Sequence, residues 1–162
     1  MRTYVYKISQ IVLILLIICT VAHAFYQSAL PAKQSAEQSD KVGEIIEEII
    51  PPDTKPGEYV QKNLRKLAHF TEFFFLGLWS ALYTVVFYRK KLSFFALMPF
   101  GMTIALLDET VQIFSKRGSS VKDVWIDILG YTSALFLVLS AFLVFLLVRY
   151  MRNRKNPTDN LS

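Results

Sequence analysis

From Ile8 to Tyr26 the chain carries no Asp, Glu, Lys or Arg, and about twenty consecutive apolar residues are what one helix needs to cross the hydrocarbon core of a bilayer. Residues 67–88, 92–114 and 124–148 are likewise long and predominantly apolar, though each carries one or two acids. Inside hydrocarbon every backbone N–H and C=O must find a partner, which a helix supplies from its own segment. The expected fold is therefore all-α, one integral membrane domain over residues 1–162 arranged as a four-helix bundle. A composition of 53% hydrophobic and 14% aromatic residues with mean hydropathy +0.36 argues the same way, because a soluble domain of this size needs more polar surface.

The first run can be read in two ways. Arg2 and Lys7 precede it, and Ala22-His23-Ala24 near its end resembles a small-x-small cleavage site, so it is either a first span or a signal sequence. Both readings send the following loop outside. The single cysteine, Cys19, excludes an intramolecular disulfide and a multi-cysteine metal site, and Ile18 before it speaks against a lipid anchor there.

Residues 27–66 turn polar and form the expected outer loop, punctuated by Pro31, Pro51, Pro52 and Pro56. Within it Val42, Ile45, Ile46, Ile49 and Ile50 recur at helical spacing, with Glu44, Glu47 and Glu48 on the other faces. The pattern predicts a short extracytoplasmic amphipathic helix between spans one and two, capped at Ser39 or Asp40 and stopped by Pro51-Pro52. Such a helix either rests over the outer ends of the spans or closes over a site. In the third span Pro99 and Gly101 predict a kink, and after the fourth a basic tail, residues 149–162, is expected to be disordered.

Charge placement sets the expected orientation. Arg2 and Lys7, Arg89 to Lys91, and Arg149 to Lys155 form short basic segments without acids, whereas residues 27–66 mix six basic with seven acidic side chains. Positively charged short loops stay in the cytoplasm, so both termini are expected inside. The net charge of +5 is thus read as a topology signal, with no nucleic acid as partner. Lys116, Arg117 and Lys122 lie in an outer loop against this rule, which suggests a specific task for at least one of them.

With that orientation, three segments bring polar residues to one depth. His69 and Glu72 are three apart at the start of span two; Asp108 and Gln112 are four apart, and Glu109 and Gln112 three apart, at the end of span three; Asp123 and Asp127 are four apart at the start of span four. Polar groups in lipid need partners, and these are candidates for one another. Gly77 and Gly130 permit close helix approach. Simpler roles stand beside functional ones: His69 and Glu72 pairing with each other or with Lys66, an acid balancing Arg117, Asp123 capping span four. Asp127 lies a turn too deep for a cap. His23 reads as interfacial, and Trp125 and Tyr59 as interfacial anchors.

The segments Lys66-Leu-Ala-His69-Phe70-Thr-Glu72-Phe73, Asp108-Glu109-x-x-Gln112-x-Phe114, Arg117 and Asp123-Val-Trp-Ile-Asp127-Ile-Leu-Gly130 together resemble the VanZ-like family of small bacterial multi-pass membrane proteins, over a region from about Phe25 to the end of span four. Two features depart from the family pattern. Ser115-Lys116 stands where relatives often carry Pro-Gly, which leaves the loop geometry open, and Val111 stands where many carry His, which removes a titrating group.

The resemblance implies an envelope role linked to glycopeptide resistance, and action on the phosphate-linked head group of an envelope lipid or lipid-linked wall precursor at the outer leaflet of the cytoplasmic membrane. Under that implication the expected catalytic set is His69, Glu72, Asp108, Glu109, Gln112 and Asp127, with Glu72 orienting His69 as base or nucleophile. The expected substrate-binding set is Lys66, Arg117 and Asp123, the planar fork of Arg117 suiting phosphate oxygens best. The acids either position a hydroxyl or water, or hold a divalent cation through oxygen ligands. The competing expectation is a non-catalytic accessory protein acting through protein or lipid contacts. Ion translocation fits less well, because the inner halves of the spans lack Asp, Glu, Lys, Arg and His for a path across the bilayer.

Overall fold

A computed structural model of the chain describes residues 2–88, 91–115 and 120–155. All regular structure among them is helical: α1 (Arg2–Ala29), α2 (Ala32–Glu47), α3 (Lys55–Tyr83) continued by a π-helical turn (Thr84–Tyr88), α4 (Lys91–Phe114) and α5 (Val121–Lys155). Four of these, α1, α3, α4 and α5, are long and apolar enough to cross a membrane, which makes this a multi-pass membrane protein.

The helices overrun the apolar windows read from the sequence. Thr54 caps α3, its hydroxyl accepting from the Gly57 amide at 3.2 Å with Pro56 in the first turn. The polar residues from Lys55 to Lys66 therefore continue into span two as one helix, since nothing in them breaks it. α2 begins at Ala32, two turns before the expected cap, with Pro31 preceding it, and ends at Glu47. Ser39 lies inside it, donating to the Ser35 carbonyl at 3.0 Å. The basic tail is helical through Lys155, where Arg149, Arg152 and Arg154 complement the negative end of the helix dipole. Pro99 lies within α4, which stays a single element.

α3 and α5 form the main pair of the bundle. They run parallel: His69 and Phe70 meet Asp127 and Gly130, and further along Gly77 meets Tyr131 and Ala134. The contact is backbone to backbone. A Cβ on Gly130 would collide with the Phe70 carbonyl, and one on Gly77 with the Tyr131 carbonyl, so these two glycines set the distance between the helices. α4 runs antiparallel to α5, with the Tyr131 hydroxyl donating to the Leu97 carbonyl at 2.9 Å and its ring packed over Gly101. The space at Gly101 thus serves Tyr131. α1 runs antiparallel to α3, joined by Gln10 donating to the Tyr83 hydroxyl at 3.2 Å and by His23 with Glu72.

The core between α3, α4 and α5 is built from Phe73, Leu76, Ala81, Val85, Leu97, Ala105, Tyr131, Leu135 and Val138. Outside it the long helices present Ile11, Leu15, Phe95, Leu106, Phe136 and Phe145 outward. A water-soluble monomer rarely exposes so continuous an apolar surface, whereas lipid covers it without penalty. α2 differs from the rest. None of its residues is buried, and it lies along α3 with Gly43 near Leu64 and Glu47 accepting from Gln61.

Candidate functional site

Four helices converge where α1 and α4 end, α5 begins and α3 passes its middle. α3 contributes Arg65, His69 and Glu72, spaced so that they follow one face of the helix. α4 contributes Asp108, Glu109 and Gln112, α5 contributes Asp127, and α1 contributes His23 and Ser28.

Asp108 and Gln112 are fully buried and linked across one helical turn, Gln112 Nε2 donating to Asp108 Oδ2 at 3.0 Å. Buried Ser28 donates to the same oxygen at 2.8 Å and accepts from Gln112 at 3.3 Å. Arg65 completes the chain, its Nη2 donating to Gln112 Oε1 at 2.7 Å. Ser115 adds a tie, its hydroxyl donating to the Ser28 carbonyl at 2.8 Å. Three helices are thus fastened by one polar network whose donors and acceptors are correctly matched.

His69 is buried beside this network. Its Nδ1 lies 3.5 Å from Asp127 Oδ1 and 3.9 Å from Asp108 Oδ2. Asp127 is fully buried, and neither of its oxygens has a hydrogen-bond partner among the described residues; the same holds for Asp108 Oδ1, Glu109 Oε2 and His69 Nδ1. Glu109 faces the start of α5, where its other oxygen accepts from the Ser120 amide.

The expected orienting pair of His69 with Glu72 is replaced by another. Glu72 lies against His23, Oε1 to Nδ1 at 3.1 Å, because α1 packs antiparallel to α3 and brings its half-exposed imidazole opposite. His23, read from the sequence as merely interfacial, is therefore a partner in the site. Lys66 is exposed, near Asn63 at 3.5 Å; with Asp123, Lys62 and His69 it lines a cavity of about 190 Å³. The expected cap at Asp123 lies inside α5, and Ser120 precedes the helix instead, its hydroxyl accepting from the Lys122 amide at 3.1 Å. Arg117 lies outside the described residues.

Sequence reasoning missed Arg65, Ser28 and His23 as members. Arg65 left a signal, since it precedes His69 by four residues and must share its face. Ser28 left none, because a serine near the end of an apolar run is ordinary until its partner on another helix is known.

A second cavity, about 680 Å³, opens between α1, α2 and α3. Leu16, Val42, Ile46, Leu64, Phe75 and Trp79 give it apolar walls, and His23, Gln27, Arg65, His69 and Glu72 give it a polar end. Its volume falls within the range of cavities that bury small ligands, and its lining follows the usual pattern of apolar wall with few convergent polar groups. His69 and Arg65 line both cavities.

The model of one family, VanZ/LLP1, matches residues 13–147. Neither the curated proteins nor the solved structures contain a recognisable match to the chain.

Proposed function

The chain belongs to the VanZ/LLP1 family, and for this member we propose that the cavity between α1, α2 and α3 binds a phosphate-bearing envelope lipid or lipid-linked wall precursor and acts on its head group. The observation that carries this reading is the two-part lining of the 680 Å³ cavity. An acyl or prenyl chain fits the apolar wall, and a phosphate fits the end where Arg65 presents a guanidinium, the best bidentate partner for phosphate oxygens. Charge placement supports a cavity facing outward, with both termini in the cytoplasm.

The His23–Glu72 pair supports chemistry at that end. A carboxylate on Nδ1 holds the ring so that Nε2 accepts a proton. Water adds to phosphorus as its proton passes to His23. The P–O bond to the head-group alcohol breaks, the electron pair leaves with the alcohol oxygen, and that oxygen takes the proton back. A phosphoester is hydrolysed with atoms and charge balanced.

A non-catalytic accessory role is the competing reading, favoured by the Ser28–Asp108–Gln112–Arg65 network, which serves equally well to fasten helices. Comparative lipidomics separates the two. Membranes carrying the wild-type protein should show a changed ratio of one phosphate lipid to the lipid phosphate that has lost its head-group alcohol, and membranes carrying Glu72→Gln at equal abundance should match those without the protein. An unchanged lipid profile with wild-type protein present favours the accessory role.

A further inference from the structure

We propose that His69, Asp108 and Asp127 form a binding site for one divalent first-row transition cation, zinc or manganese in type. The three residues come from α3, α4 and α5, are 7%, 0% and 0% exposed, and offer donor atoms that all lie within 4.8 Å of one another. Ligand atoms about 2.0–2.2 Å from a shared cation stand roughly 3–4 Å apart; His69 Nδ1 already lies 3.5 Å from Asp127 Oδ1 and 3.9 Å from Asp108 Oδ2, the neighbour of the unpartnered Oδ1 on the same carboxylate.

The unsatisfied atoms point to the same conclusion. His69 Nδ1, Asp108 Oδ1 and both Asp127 oxygens lack a hydrogen-bond partner among the described residues. Two carboxylates at that depth repel each other, and a single imidazolium would neutralise only one of them. A dication balances both and coordinates the bare atoms at once.

The surroundings are those of a held ligand. Asp108 Oδ2 is fixed by Ser28 and Gln112, and Gln112 by Arg65, which leaves Oδ1 free to coordinate. Outer partners of this kind orient metal-binding carboxylates. One imidazole with two carboxylates is a mixed nitrogen and oxygen set. It suits zinc or manganese better than magnesium or calcium, which prefer oxygen alone. Three protein ligands leave a position for an outside oxygen, and His69 also lines the lipid cavity. The site's use rests on the head-group reading above, where that oxygen belongs to phosphate; its existence does not.

The test is elemental analysis of the full-length protein purified in detergent, freed of metal and then equilibrated with Zn²⁺ or Mn²⁺ and desalted. The wild type should retain about one equivalent. Asp127→Asn and His69→Gln should lower affinity about 10-fold or more, whereas Glu58→Gln, which removes an exposed carboxylate in the first turn of α3, should retain the metal. Less than a tenth of an equivalent on folded wild type overturns the proposal without any variant, as does full retention by Asp127→Asn. Native mass spectrometry of the same samples separates the two claims. Phosphate lipid on metal-free wild type that takes up no cation overturns the metal site and leaves the head-group reading standing; metal retained without phosphate lipid supports the site and removes that reading.

Discussion

At the scale of residues, Gln112 is the most connected member of the site and the easiest to test. It accepts from Arg65 and donates to Asp108 and Ser28. Gln112→Leu keeps the volume but leaves a buried carboxylate and a guanidinium each short of a partner, which costs about 1–3 kcal/mol. A thermal unfolding midpoint in detergent several degrees below wild type is the expected outcome. Tyr131→Phe removes one hydroxyl bond to the Leu97 carbonyl and should cost only about 0.5–1.5 kcal/mol by the same measurement. Individual acids were legible in the sequence because an Asp in an apolar run is conspicuous. Their partners were not. Periodicity relates residues on one helix, as it relates Arg65 to His69, but is silent about which helix lies opposite. Glu72 was accordingly assigned to His69 when the packing of α1 gives it to His23.

At the scale of elements, the parallel pair α3 and α5 depends on two missing side chains. Gly130→Leu forces α5 away from the Phe70 carbonyl and Gly77→Leu forces it from the Tyr131 carbonyl; overpacking of this kind costs about 1–3 kcal/mol or more. Either substitution should lower folded yield sharply after detergent extraction. Gly43→Ala is the contrast. Its nearest neighbour is Leu64 Cδ2 at 3.8 Å, and replacing a helical glycine gains about 0.5–1 kcal/mol, so yield should hold or rise. The four long helices were legible because hydrophobic length is a strong signal. The ends were less so, since a polar stretch such as Lys55–Lys66 prolongs a helix as readily as it forms a loop. α2 extends further toward the first span than its apolar spacing suggested. Its Ser35, Ser39, Val42 and Ile46 form a wall of the large cavity, although none of its residues is buried.

At the scale of the whole molecule, the antiparallel and parallel contacts place the ends of α1 and α4 and the start of α5 together, with both termini of the described chain at the other end. Basic segments at that second end support its being cytoplasmic. In a Cys19→Ser background, a membrane-impermeant thiol reagent applied to intact cells should label Asp53→Cys and leave Arg152→Cys unlabelled; the reverse pattern would move the site to the inner face. The large cavity has an apolar side and a polar end, and the proposed function requires a lipid chain and a phosphate to occupy them together. Native mass spectrometry of the protein released from membranes into mild detergent tests this most directly. The account predicts one retained lipid bearing phosphate, with retention falling about 10-fold in Arg65→Ala as a charge-assisted contact is lost. Retention only of phosphate-free lipid, or equal retention in folded Arg65→Ala, would contradict it.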